Sequence, residues 1–178
     1  ILLLAFTPLC ADKYAGEIFR MGAGVRNYAL GGCGLTDDQT FAPAYWNPAL
    51  LLQNPTMRFE LMHAEEYAGE LKYDVAAATF GNATPMSLVL ARIGIDDVPI
   101  TALPDPSQDP SNENRPYVSK WVNNADYVLW FGLARRIAGF DVGLSPKLAW
   151  REMGEETAFG FGADLSALFE PRPGWLLG

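Results

Sequence analysis

Few residues in this sequence are of a type and spacing that could do chemistry. His63 is the one histidine of the 178 residues, and the two cysteines, Cys10 and Cys33, are far apart with no metal-type spacing. A zinc site therefore has no ligand set, and His63 reads as a residue at a strand end. Carboxylates come as adjacent pairs, Asp37/Asp38, Glu65/Glu66 and Glu155/Glu156, in turn-like surroundings. Solvation is the ordinary use of such pairs; Asp37/Asp38 is the one a cation would choose. Gly22-Ala23-Gly24-Val25-Arg26-Asn27 starts like a dinucleotide loop. Asn27, however, stands at the third glycine position, and no βαβ unit surrounds it. No nucleophile elbow accompanies the serines. Neither an enzyme nor a cofactor is expected.

The chemistry that does stand out is a set of charges spaced by alternation. Arg58, Glu60, Lys72, Asp74, Asp141, Lys147, Arg151 and Asp164 each occupy the polar positions of a segment whose other positions are apolar. Together they would put both signs of charge on one face of a sheet. They would form either a structural ion-pair network or a charge-lined path for a substrate, and both readings stay open.

The elements that must carry these charges are strands. From Thr56 onward the apolar residues recur with period two rather than 3.6. Phe140, Val142, Leu144, Pro146, Leu148 and Trp150 alternate with Asp141, Gly143, Ser145, Lys147, Ala149 and Arg151. Phe159, Phe161, Ala163, Leu165, Ala167 and Phe169 repeat the pattern. Four earlier segments follow it, with Met57, Phe59 and Leu61, then Leu71, Tyr73, Val75 and Ala77, then Met86, Leu88 and Leu90, then Tyr127, Leu129, Phe131 and Leu133 on their apolar faces. Strands are expected near 57–64, 71–80, 85–94, 126–136, 139–151 and 157–169. Most reach the roughly 9–11 residues of a tilted membrane-spanning strand. Odd-numbered connections are the longer ones and the longest spans 95–124, the phase of an outer-membrane barrel with extracellular loops and short periplasmic turns. Tyr73, Tyr127 and Trp150 would lie near one rim, and Phe59, Phe140, Phe169 and Trp175 near the other. Pro146 removes a ladder donor, so a bulge or break is expected there.

Composition narrows the setting. Apolar residues make up 49% of the sequence, charged residues 19%, and the net charge is −8. Disorder is excluded by the first figure and nucleic acid is a poor partner by the last. No later segment approaches the ~18 apolar residues of a membrane helix. Ile1 to Ala11 is apolar up to the first charge at Asp12, which reads as the remnant of a secretory signal peptide cleaved after Ala11. The chain as a whole reads as the N-terminal part of a longer exported protein. In the segment before the strands, Asn47 followed by Pro48 suits an N-cap with proline at the first helical position. A short helix is expected from Pro48 to about Gln53, docked on something larger.

Three runs carry a family resemblance: Ala15-Gly16-Glu17-Ile18-Phe19-Arg20-Met21-Gly22-Ala23-Gly24, Ala29-Leu30-Gly31-Gly32-Cys33-Gly34 and Ala44-Tyr45-Trp46-Asn47-Pro48-Ala49. They resemble the N-terminal signature of the PorV/PorQ family of bacterial outer-membrane proteins, which is similar to the FadL-type transporters of hydrophobic compounds. Cys33 and Leu50 depart from it. The resemblance implies an all-β fold: an antiparallel transmembrane β-barrel, seen here as about six strands of open curved sheet over 56–178, with an N-terminal plug over 12–55. Tyr45, Trp46, Asn47, Pro48 and Ala49 would belong to the plug. The implied location is the bacterial cell outer membrane. The implied partners are outer-membrane lipid and either apolar small molecules or proteins of type IX secretion. A secreted soluble β-sandwich that binds a ligand or a partner is the competing architecture, since alternation alone does not say what covers the apolar face.

Overall fold

The computed structural model describes residues 16–81 and 84–178. The signal-peptide reading of 1–11 and the first plug residues, 12–15, lie outside the described residues. Period two becomes strand throughout: β1 Arg58–Glu66, β2 Leu71–Phe80, β3 Met86–Ala102, β4 Tyr117–Ile137, β5 Phe140–Met153, β6 Glu156–Arg172 and β7 Trp175–Leu177. They form one antiparallel sheet in sequence order, curled into an open half-barrel. Every connection joins neighbours, so each strand pairs with the next as soon as the chain reverses. Among the described residues no helix is long and apolar enough to cross a membrane.

Two expectations need correction. Among the described residues there are seven strands against the about six expected, because the chain turns at Gly174 and pairs Trp175 with Arg172. The long connection expected over 95–124 is mostly strand. β3 and β4 pair out to Ala102 and Tyr117, leaving 103–116 as the loop. Period two fails there because register shifts between Ile95 and Val98 and between Ile100 and Thr101 swap the faces. β5 passes through Pro146 in constant register, with Trp130 opposite Lys147 and Leu133 opposite Leu144. Its pairing with β4 is interrupted between those two points, the local break expected of a residue that lacks a ladder donor. The β4–β5 turn is made by Ala138 and Gly139 alone, both at positive φ, the conformation of a two-residue hairpin turn.

The segment before β1 is helical in short pieces, and it lies against one face of the sheet, called inner here. A 3-10 turn at Glu17–Phe19 is followed by α1 (Val25–Ala29), α2 (Pro43–Trp46) and a second 3-10 turn at Pro48–Leu52. The last starts as the sequence predicts: the Asn47 side chain accepts from the Ala49 N–H at 3.0 Å, and proline takes the first position. Pieces this short are not stable alone; burial against the sheet holds them. The shared core joins Ile18, Ala23, Ala42 and Ala44 of the segment to Tyr73, Val75, Val89, Val128 and Trp130 of the sheet. A smaller cluster joins Ala49 and Leu50 to Leu168.

Candidate functional site

The contact between the N-terminal segment and the inner face is where polar chemistry concentrates. The Tyr-Trp-Asn-Pro-Ala run lies at its centre. Tyr45 donates to the Phe19 carbonyl at 2.8 Å and accepts from the Gly22 N–H at 2.9 Å. Burial pushes the Tyr45 phenol above its ordinary pKa, partly offset by the Gly22 hydrogen bond. Trp46 donates its indole N–H to the Ala23 carbonyl at 2.7 Å, and Asn47 donates to the Leu35 carbonyl at 2.8 Å. One residue run therefore fixes two separate stretches of the segment, 19–23 and Leu35, and buried Pro48 and Ala49 then touch the wall.

The wall receives them with small side chains. A Cβ on Gly143 would lie 2.3 Å from the Ala49 nitrogen and 2.7 Å from the Pro48 carbonyl carbon. A Cβ on Gly132 would lie 2.9 Å from that of Ala44. Glycine at these positions serves close approach rather than an unusual backbone angle. Hydroxyls fill the remaining valences: Ser145 donates to the Ala44 carbonyl at 2.7 Å, and the Ala49 N–H reaches Ser166 Oγ at 3.3 Å. Toward β1 and β2, Tyr73 donates to the Gly22 carbonyl at 2.5 Å, Glu60 accepts from the Val25 N–H at 3.0 Å, and Glu66 accepts from Tyr28 at 2.8 Å. Desolvation, then the Glu66 carboxylate, holds the Tyr28 phenol above its usual range.

Six of the eight sequence-selected charges share this inner face: Arg58, Glu60, Asp141, Lys147, Arg151 and Asp164. Lys147 holds both oxygens of Asp164, at 2.7 and 2.8 Å. Arg151 pairs with Asp126, while Asp141 binds Arg136 at 2.6 and 3.0 Å and Gln53 at 2.7 Å. Arg58 lies over the Phe41 ring at 5.2 Å and donates to the Gln39 carbonyl at 3.2 Å. Lys72 and Asp74 are a correction: they stand on the outer face, in a network with His63, Arg92 and Asp96. Asp74 takes His63 at 2.6 Å and Arg92 at 3.4 Å, and Lys72 takes Asp96 at 2.8 Å. The apolar positions of β2 accordingly point inward, and Tyr73, expected at an outer rim, is 0% exposed. β2 lies beneath the docked segment, so its inner face is the one that needs grease.

Asp126, Arg136, Gly143, Ser145 and Ser166 were not singled out by sequence. The run of small residues opposite the apolar face of β5 was the available signal. Of the acidic pairs, Asp37 is engaged by Arg26 and Asn27, each at 3.0 Å, and Glu155 by Lys120 at 2.8 Å. Lys120 draws the Glu155 carboxyl below its ordinary pKa. Among the described residues no three His, Cys, Asp or Glu side chains are grouped to hold a metal.

Between the segment and β4–β6 runs a cleft of about 370 Å³. Ile18 and Phe19 roof it, Val128, Ala149, Ala158 and Gly160 line it, and Arg151 and Lys147 stand at its two ends. Phe19 is held edge-on to Trp130 at 6.0 Å, with Lys147 5.0 Å from the centre of its ring.

The outer face is apolar over a defined height. On β4 the outward run is Tyr127 to Ile137, broken by Arg135; on β5 it is Phe140 to Trp150 and on β6 Phe159 to Phe169. Tyr127, Trp150 and Phe159 are cross-strand neighbours at one limit, and Ile137 and Phe140 at the other, where Phe140 packs on Phe169 at 5.1 Å. Arg92, Asp74 and His63 continue the first row across β3, β2 and β1. Within the band Phe161 is 87% and Leu165 81% exposed. No family model, curated protein or solved structure matches this chain.

Proposed function

We propose that the sheet is part of the wall of a bacterial outer-membrane β-barrel of the PorV/PorQ, FadL-like kind, and that its docked N-terminal segment is a plug governing passage of hydrophobic compounds. The observation that carries this reading is the outer apolar band. β5 and β6 keep it for ten residue steps, and β4 does so with Arg135 as an interruption near one limit, about 34 Å along the strand at ~3.4 Å per residue. Tilted by ~45°, that projects to about 24 Å, against the ~25 Å apolar height of outer-membrane barrels. An exposed apolar surface of this extent needs a partner, and lipid fits a band edged by aromatic and charged rows. The cleft beneath Phe19 supplies the apolar path on the plug side. The projecting β3–β4 ribbon, with Tyr117 and Trp121 exposed at 53% and 61%, favours a second reading, in which the protein holds partners in type IX secretion.

Two experiments test the first reading. The protein should fractionate with outer membranes and migrate faster on gels when unheated; recovery in the soluble periplasmic fraction without heat-dependent mobility sinks it. Asn47→Ala removes an N-cap worth about 0.5–2 kcal/mol and should change uptake of long-chain apolar solutes by liposomes. Unchanged uptake counts against a gating plug.

A further inference from the structure

The cleft under Phe19 has a length set by register. Lys147 and Arg151 project from the same face of β5 four residues apart, which places their backbone positions ~13 Å from each other. The floor between them is Ala149, with Gly160 beside it on β6 and Val128 on β4. It is hollow because these side chains are small or absent: a Cβ on Gly160 would meet only the Ala149 Cβ, at 3.9 Å. The ends differ in kind from the middle. One is the Arg151–Asp126 pair and the other the Lys147–Asp164 pair.

We propose that this cleft binds a ditopic amphiphile, with an apolar middle of about 13 Å and an uncharged group at each end that both donates and accepts hydrogen bonds, such as a hydroxyl or an amide. The inference rests on the reading of the plugged wall as a conduit for apolar compounds, and narrows it to one ligand class. Its volume lies in the ~300–1,000 Å³ range of small-molecule sites. Charge balance selects the end groups. Each cation is already neutralised by a carboxylate, so an anionic headgroup would have to displace an aspartate and leave it unpaired in the cleft. An uncharged hydroxyl displaces nothing. It accepts from a guanidinium or ammonium N–H, which have five and three donors respectively, and donates to a free lone pair on the neighbouring carboxylate.

The test uses the full protein in nanodiscs, with binding read from fluorescence of Trp130, which packs against Phe19 on the cleft's face of the sheet. The probes are straight-chain α,ω-diols of graded length, the fatty acids of matching length, and the corresponding mono-alcohols. The diol spanning about 13 Å should bind at least ~10-fold tighter than markedly shorter or longer diols and than the matched fatty acid. Gly160→Leu should abolish that binding while amide exchange of residues 43–53 stays as in the parent, which shows the fold intact. Removing one polar end with Lys147→Met and Asp164→Leu together should erase the preference for the diol over the mono-alcohol. A fatty acid that binds as tightly as the diol overturns the ligand class but leaves the conduit reading standing. Diol binding that survives Gly160→Leu overturns the site. Absence of binding by any apolar probe, together with absent uptake, overturns both.

Discussion

Gly143→Ala is the sharpest perturbation of the contact between segment and wall. The added methyl would stand 2.3 Å from the Ala49 nitrogen, 2.6 Å from Ser166 Oγ and 2.7 Å from the Pro48 carbonyl carbon, where ordinary contact begins at 3.4 Å. Two of these three atoms are backbone, so no side-chain rotation relieves the clash. The segment has to retreat by about 1 Å, and the Ala49–Ser166 hydrogen bond, already 3.3 Å long, is lost. Overpacking of this kind costs about 1–3 kcal/mol and the hydrogen bond about 1 kcal/mol. Together they shift docking by about 2–4 kcal/mol, or roughly 30- to 1,000-fold in the undocked population. Hydrogen exchange of residues 43–53 measures that population directly. Gly160→Ala, whose methyl meets only Ala149 at 3.9 Å, is the control and should leave exchange unchanged. Equal protection of Gly143→Ala and the parent would refute the steric argument and, with it, the view that glycine is required there for docking.

Two pH dependences follow from groups in the N-terminal segment and the β3–β4 loop. Burial raises the Tyr45 phenol, so its contribution to docking is complete below the free-phenol pKa of ~10 and is lost as pH rises beyond it. Exchange at 16–24 should therefore accelerate above about pH 10, and Tyr45→Phe should remove that alkaline limb; persistence of the limb in the variant contradicts the assignment. Asp105 is held below the usual carboxylate range by hydrogen bonds from the Ser107 hydroxyl, the Ser107 N–H and Gln108. Its ordering of the 103–116 loop is present above the free-carboxyl pKa of ~3.9 and lost as pH falls through its lower folded value. Chemical shifts of the 105–114 amides should hold steady on acidification to about pH 4 and move only below it; an Asp105→Asn loop that behaves identically would count against the carboxylate.

Much of the wall is legible in the sequence for a local reason. A strand reports its two faces through every second residue, so Phe140–Arg151 and Thr157–Phe169 announce β5 and β6 and their outward side chains. The N-cap at Asn47 is equally local, depending on one side chain and the amide two residues on. The pairing of Lys147 with Asp164 and of Arg151 with Asp126 depends on register between strands, which alternation does not contain. The β3–β4 ribbon escaped because its two irregularities break the period that would have revealed it.

The sequence by itself determined that this chain is a sheet of sequential antiparallel strands with one consistently apolar face on β4, β5 and β6, because strand periodicity and turn chemistry act over a few residues. Tertiary structure alone decided what covers each face. β2 shows the difference: its alternation is clear, yet Leu71, Tyr73, Val75 and Ala77 face the docked segment while Lys72 and Asp74 face outward among His63, Arg92 and Asp96. Alternation states that two faces differ in polarity. Any surface that excludes water selects apolar side chains, and a segment docked on the inner face does so as effectively as whatever lies against the outside. Only the fold, by bringing Pro43–Leu52 against Gly132, Gly143, Ser145 and Ser166, determines which face that is.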